Sequence, residues 1–261
     1  MNILFFGDVV GKVGRRALGA LLPTLIERER ADFVIANCEN VAGGAGVDAK
    51  SCEQLLAGGV DALTSGNHIW RKREIGDYLD RPDSPLLRPL NFPGAAPGRG
   101  WGAFTSNAGC EVCVVNLIGR VFMAPVDCPF QAAESFLAEI GDRYRVVIVD
   151  MHCDATSEKG AMGWFLDGRV SAVVGSHTHV QTADERLLPR GTGFLSDAGM
   201  CGPVDSVIGV KPDLAIRRFV TQRPTRFETA PGRAVVQGVS IAVDDSSGRA
   251  TSLNRIQEYL E

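Results

Sequence analysis

The stretch Ser171-Ala172-Val173-Val174-Gly175-Ser176-His177-Thr178-His179-Val180 constrains this chain more than any other. Its small, β-branched first half reads as a buried strand. It ends in Gly-Ser, and two histidines follow one residue apart. In extended backbone, residues i and i+2 project the same way, so both imidazoles are expected to face one site just past the strand end. Open α/β sheets bind their ligands at that end of the strands. Imidazole is the commonest nitrogen ligand of Zn, Mn and Fe, so the pair suggests a metal. Two surface or hydrogen-bonded histidines are the plain alternative.

The pattern of strand, polar end and helix repeats from the start of the chain. Asn2–Phe6 reads as a strand, followed by the Gly-rich turn Gly7–Gly14 and a helix from Arg15 to Arg30. The turn fits neither phosphate-loop spacing: Gly7 to Gly11-Lys12 is too short, no Ser/Thr follows the Lys, and the dinucleotide pattern is missing. What it leaves is Asp8 at a strand end. Asp32–Asn37 reads as a second strand running into Cys38-Glu39-Asn40, with a helix to Leu56 closed by Gly58-Gly59. Val60–Ser65 is a third strand, ending in Gly66-Asn67-His68, with helix expected from Ile69 to Leu79. Three such units in succession call for a parallel sheet with helices packed on it.

Arg81–Phe104, rich in Pro and Gly, is expected to hold loops and short edge strands. Glu111–Ile118 and Arg145–Val149 read as strands, Pro129–Ile140 as a helix with Pro in its first turn, and Ser157–Leu166 as a helix capped by Ser or Thr. Beyond His179 short strands are expected near Glu185–Leu188, Gly193–Leu195 and Ala234–Val243, with a helix near Lys211–Thr221. Leu253–Leu260 fits a short strand or helix. This β-rich end is expected to form a second, mostly antiparallel sheet stacked on the first.

At 261 residues, 45% hydrophobic and 22% charged, the chain can bury one large α/β core or two small ones. A net charge of −4 makes no general case for nucleic-acid or membrane binding, although a local cation could hold a small anion. No apolar run reaches membrane-spanning length, and Met1–Asp8 carries no basic leader region. Seven scattered cysteines read as reduced thiols of a cytoplasmic protein. Cys110 and Cys113, at i and i+3 of a strand, face opposite sides and make a poor metal clip; Cys38 reads as a small buried residue.

The polar residues at strand ends are Asp8, Glu39, Asn40, Asn67, His68, His152, His177 and His179, and they include all four histidines of the chain. If the strands share one sheet direction, these side chains meet on one rim. Each has a bland reading too: Asp8, Asn40 and Asn67 as turn or cap residues, His152 as a satisfied core histidine. Their joint coincidence favours a site.

Gly7-Asp8, Gly66-Asn67-His68, a later lone His152 and Ser176-His177-Thr178-His179 resemble, in order, the motifs of the calcineurin-like metallophosphoesterases. The whole chain resembles the bacterial YmdB-type branch, including Asn37–Asn40, Ala155–Trp164 and Gly199–Gly209. The resemblance implies one metallophosphoesterase domain over residues 1–261, an αββα sandwich of two stacked mixed β-sheets flanked by helices. Val10 stands where the broad superfamily has a histidine, and Glu39 where it has the bridging aspartate. The YmdB-type pattern accommodates both, with Asn40 supplying an oxygen.

The resemblance also implies two divalent cations about 3.5–4 Å apart. One would be held by Asp8, Glu39, Asn40 and His179, the other by Glu39, Asn67, His152 and His177, with Glu39 bridging. A hydroxide between the metals would attack phosphorus, and His68 would serve the leaving group. A donor set of nitrogen and oxygen without thiolate favours Mn, Fe or Zn, and the Asn- and carboxylate-rich first site tilts the choice to Fe or Mn. The implied activity is phosphodiester hydrolysis of cyclic nucleotides, of the 2′,3′-cyclic AMP type, by a cytoplasmic homo-oligomer. A phosphomonoesterase, an RNA phosphodiesterase or a metal-loaded regulatory protein are the alternatives; the lack of a basic stripe argues against long RNA.

Overall fold

The structure, a computed structural model, describes residues 1–261. Its first sheet is nucleated by β1 (Asn2–Phe6), β3 (Phe33–Asn37) and β4 (Ala62–Thr64), mutually parallel as their repeating units require. Helices α1 (Gly11–Glu29) and α2 (Ala49–Ala57) make the crossovers. The second sheet comes from the middle of the chain. In it β6 (Glu111–Ile118), β7 (Val146–His152), β8 (Ala172–Ser176) and β10 (Gly193–Leu195) run parallel. The antiparallel edges are β5 (Trp101–Thr105) and β9 (Arg186–Leu187).

The strand alternation shows why four layers form. Ile3 and Phe5 of β1 point into a core shared with Val112, Val114, Ile148 and Val174 of the second sheet. Leu4 and Phe6, one residue out of phase, pack under Leu18, Leu22 and Leu55 of α1 and α2. On the far side, Cys113, Val115, Val147 and Val149 pack under α4 (Pro129–Ile140) and α5 (Thr156–Leu166). Strands covered on both faces read as continuous apolar runs, and these do. Phe5 lies fully buried between the sheets, so Phe5→Ala would cost about 3–5 kcal/mol.

The C-terminal strands are not a separate sheet as expected. The long strand β12 (Ala234–Val243) pairs antiparallel with β1 over Gly238–Ala242, and with β11 (Met200–Pro203) over Ala234–Val236. Its other edge takes β13 (Ala250–Leu260), and β2 (Asp8–Val9) pairs with β11. The open edge of β1, apolar on both faces, is what draws β12 in.

Helix expected over Ile69–Leu79 breaks into a 3-10 turn, Ile69–Arg71, and a short helix α3, Ile75–Leu79, with Lys72 extended between them. Ile69 and Ile75 are both buried. Six residues apart, they would stand about 120° from each other around a continuous helix, and the extended Lys72 between the two short turns brings both into the same core. α5 begins at Thr156 without a side-chain cap: its Glu158 accepts instead from the backbone N–H of Arg120 and Val121, at 3.0 and 3.2 Å. No helix is long and apolar enough to cross a membrane.

Candidate metal centre

All eight strand-end residues meet where the carboxyl ends of the parallel strands of both sheets face each other. Asp8 starts β2, Glu39 and Asn40 follow β3, and Asn67 and His68 follow β4. His152 is the last residue of β7, and His177 and His179 follow β8. Asp8, Glu39, Asn40 and His152 form a buried floor; Asn67, His68, His177 and His179 are half-buried at the rim.

The donor atoms fall into two groups sharing Glu39. In the first, His152 Nε2 lies 3.0 Å from His177 Nδ1, 3.0 Å from Asn67 Oδ1 and 3.1 Å from Glu39 Oε2. In the second, Asn40 Nδ2 is 3.0 Å from His179 Nε2, 3.2 Å from Glu39 Oε1 and 3.4 Å from Asp8 Oδ1. Ligands about 2.0–2.2 Å from one cation stand about 3 Å apart when their bonds meet at right angles, so both groups have the spacing of coordination spheres. A half-turn of the Asn40 amide exchanges Nδ2 for Oδ1, giving the second group an oxygen where a cation would need one. Gly66 is required by the same crowding: a Cβ there would lie 2.2 Å from His152 Nε2 and 2.4 Å from Glu39 Oε2.

The charges favour a cation. Burial alone would raise both carboxyls, but His179 facing Asp8 holds it well below the usual range, and His152 brings Glu39 down to about 2. Burial opposes protonation of the imidazoles, yet Asp8 lifts His179 to about 9 and Glu39 raises His152. Burial, with His152 beside it, pushes His177 down to about 4. Two buried carboxylates thus recruit whatever positive charge is at hand.

His68 stands apart. Its ring Nδ1 is 2.9 Å from Asn40 Oδ1 and 3.4 Å from Glu39 Oε1, and its backbone lies at φ −91°, ψ 1°. Burial lowers its pKa and the Arg71 charge adds to this, despite the opposing pull of Glu39. Arg71, three residues further on in the 3-10 turn, is the source of that charge.

His177 and His179 converge with the other residues, but not through extended backbone. Their φ values are +104° and +63°, left-handed for both, and they join different groups. Asp8 Oδ2 accepts from the His177 N–H at 3.0 Å, and the Ile208 carbonyl takes His179 Nδ1 at 2.8 Å. Asp197 accepts from the Thr178 N–H at 3.0 Å and is paired at 2.6 Å with the fully buried Lys159. These bonds hold the strained turn.

A buried polar bridge, which the sequence reading missed, crosses the sheet interface beneath the centre. Asp150 accepts from Ser176 Oγ at 2.6 Å, Thr64 Oγ1 at 2.5 Å and Asn37 Nδ2 at 2.9 Å. Ser176 Oγ is in turn 2.9 Å from His152 Nδ1. Burial raises Asp150 to about 6 against these donors. The available signal was Asp150 two residues before His152, on the same face of an otherwise apolar strand. Cys38, Cys113 and Cys153 are buried thiols, and Cys38 is pushed well up by burial.

Two stacked mixed sheets flanked by helices, with a histidine and carboxylate cluster on the seam, define a metallophosphoesterase-type sandwich. The chain belongs to the family described as YmdB-like protein, which matches residues 4–256. It is 46% identical over 257 residues to the 2′,3′-cyclic-nucleotide 2′-phosphodiesterase of Bacillus subtilis strain 168, covering 98% of this chain and 96% of that protein. A crystal structure of a hypothetical protein from Thermus thermophilus superposes with TM-score 0.93 at 39% identity over 99% of each chain. That of a novel phosphatase from Mycoplasma pneumoniae gives TM-score 0.92 at 33% identity, over 99% of this chain and 93% of that one. These relatives make the chain a hydrolase of the phosphodiesterase and phosphatase kind.

Proposed function

We propose that this protein is a metal-dependent phosphodiesterase that opens 2′,3′-cyclic nucleotides in the cytoplasm. The observation that carries the reading is the pair of donor groups sharing Glu39, with His68 beside them but outside both groups. The printed activity of the Bacillus relative supports the substrate class. Asp8, Glu39, Asn40 and His179 would hold one divalent cation, Fe or Mn by preference, and Glu39, Asn67, His152 and His177 the other. Bound there, the cations supply Lewis acidity toward the phosphoryl oxygens and lower the pKa of a coordinated water.

The chain's own residues do the rest. Glu39, ionised despite full burial, neutralises charge on both sides of the seam. Were a cation to take the Asn40 oxygen, the amide Nδ2 would stand in its place 2.9 Å from His68 Nδ1 and donate to it. The neutral His68 imidazole then carries its proton on Nε2, available to a departing alkoxide. A diester monoanion asks for less positive charge than a monoester dianion and gains more from that proton. The cyclic phosphate also brings the strain of a five-membered ring. The seven thiols are all unpaired, which suits a reducing compartment.

The test compares kcat/KM for 2′,3′-cyclic AMP and 5′-AMP at one metal loading. The cyclic diester should be turned over well above the monoester; equal or reversed values would make this a phosphatase. Elemental analysis should return close to two metals per chain, and one or none after reconstitution would rule out the paired centre.

A further inference from the structure

Between β11 and β12 the chain leaves the sheet as an arm whose two ends are fastened at the rim of the centre. Ile208 holds His179 Nδ1 through its carbonyl. Val210 pairs antiparallel with Thr229, whose Oγ1 donates to the Gly43 carbonyl in the loop after Asn40. Lys211 and Glu228 close the base with a 2.6 Å ion pair. The arm itself is α6 (Pro212–Thr221) and the extended return to Glu228, and within the helix only Ala215 is buried.

Besides the aliphatic Ile216 and Val220, two kinds of exposed side chain stand out on it. Arg217, Arg218, Arg223 and Arg226 are all exposed and none forms an ion pair, although Arg226 lies near enough to Glu228 to add to the hold of Lys211 on its carboxyl. Interleaved with them are Phe219, 73% exposed, and Phe227, 43% exposed. The Arg218 guanidinium lies 5.3 Å from the Phe227 ring centroid. A cleft of about 270 Å³ opens between Arg218, Phe219 and Arg223. The whole-chain charge of −4 averages this local basic stripe away.

We propose that the arm is a docking strip for single-stranded RNA, the strand leading into a 2′,3′-cyclic phosphate terminus held at the centre. This rests on the phosphodiesterase reading above and extends its substrates from mononucleotides to oligonucleotides. Unpaired guanidinium groups neutralise phosphates, and exposed phenyl faces stack unpaired bases without regard to sequence. A cyclic 2′,3′-phosphate exists only on ribose, so the strand is RNA. A second copy of this chain fits the surface less well. A two-fold contact would gather the four guanidiniums of each copy into one interface, where Asp213 is the one unpaired acid that each arm offers.

Fluorescence anisotropy with a labelled eight-nucleotide RNA ending in a 3′-hydroxyl reads the arm without turnover. Binding should weaken with salt by a log–log slope of about −0.7 per neutralised phosphate, close to about −3 for four. Replacing all four arginines with glutamine should abolish it, and Phe219→Ser with Phe227→Ser should weaken it about tenfold or more. With the metal-loaded enzyme, an oligonucleotide ending in a 2′,3′-cyclic phosphate should exceed 2′,3′-cyclic AMP about tenfold or more in kcat/KM. The arginine variant should close that gap while keeping mononucleotide turnover. Salt-insensitive or absent RNA binding, or equal kcat/KM for both substrates, overturns the proposal. So does a wild-type dimer that dissociates on Phe219→Ser without any RNA affinity. RNA binding with no turnover of either substrate leaves the arm standing and overturns the phosphodiesterase reading instead.

Discussion

On the first sheet's side the centre offers oxygen, from Asp8, Glu39, Asn40 and Asn67; on the second sheet's side it offers imidazole, from His152, His177 and His179. The two sides are also held in place by different means. Asp8, Glu39 and Asn40 are at most 1% exposed and fixed by the packing around them. His177 and His179 ride a turn with two left-handed residues, fixed by hydrogen bonds to Asp8, Asp197 and Ile208. Neither sheet alone carries either donor group complete, so the centre is a property of the seam. Whatever holds the sheets in register also holds the chemistry.

The largest effect is expected from Glu39→Gln, because Glu39 is the one residue shared by both donor groups. Loss of its charge should lower turnover by at least about 10⁴-fold, as the Lewis acidity of both cations would go with it. Metal content measured by elemental analysis should fall below one per chain. Retention of two metals would show that the groups are independent. His68→Ala removes a first-sheet side chain from outside both groups. Turnover should drop by roughly 10²–10⁴-fold with both metals kept. Metal lost in proportion to activity would move His68 among the ligands.

Asp150→Asn probes the bridge between the sheets. The amide keeps the shape but weakens the hold on Ser176 and through it on His152. Metal affinity by titration calorimetry should fall by about 10–100-fold, the usual cost of losing such an outer partner. An unchanged affinity would mean that packing alone orients His152. Chelation should remove activity and also lower the stability of the seam. Each site filled at about 100 times its Kd adds about 2.7 kcal/mol, or roughly 5–10 °C in Tm for a chain of this size, and two sites about twice that. A melting temperature unmoved by chelator would mean that the seam is closed without metal.

Local pattern was enough for most elements. Asn2–Phe6, Glu111–Ile118, Pro129–Ile140, Gly193–Leu195 and Ala234–Val243 form as their apolar periodicity and turn residues dictate. The same pattern collected Asp8, Glu39, Asn40, Asn67 and all four histidines, because each stands at the end of an apolar run. Which strand pairs with which was not legible. β12 is apolar on both faces and would satisfy either sheet; only the open edge of β1 assigns it to the first. The break between Ile69 and Ile75 was hidden because helical propensity is local, whereas the demand that both isoleucines reach one core is not. The left-handed turn at His177 and His179, and the Asp150 bridge from β7 to Thr64, Asn37 and Ser176, depend on partners dozens of residues away. Sequence determined what each strand end carries, since burial and periodicity act along the chain. The tertiary structure decided which ends meet and at what distance, since hydrogen bonds and charge act through space.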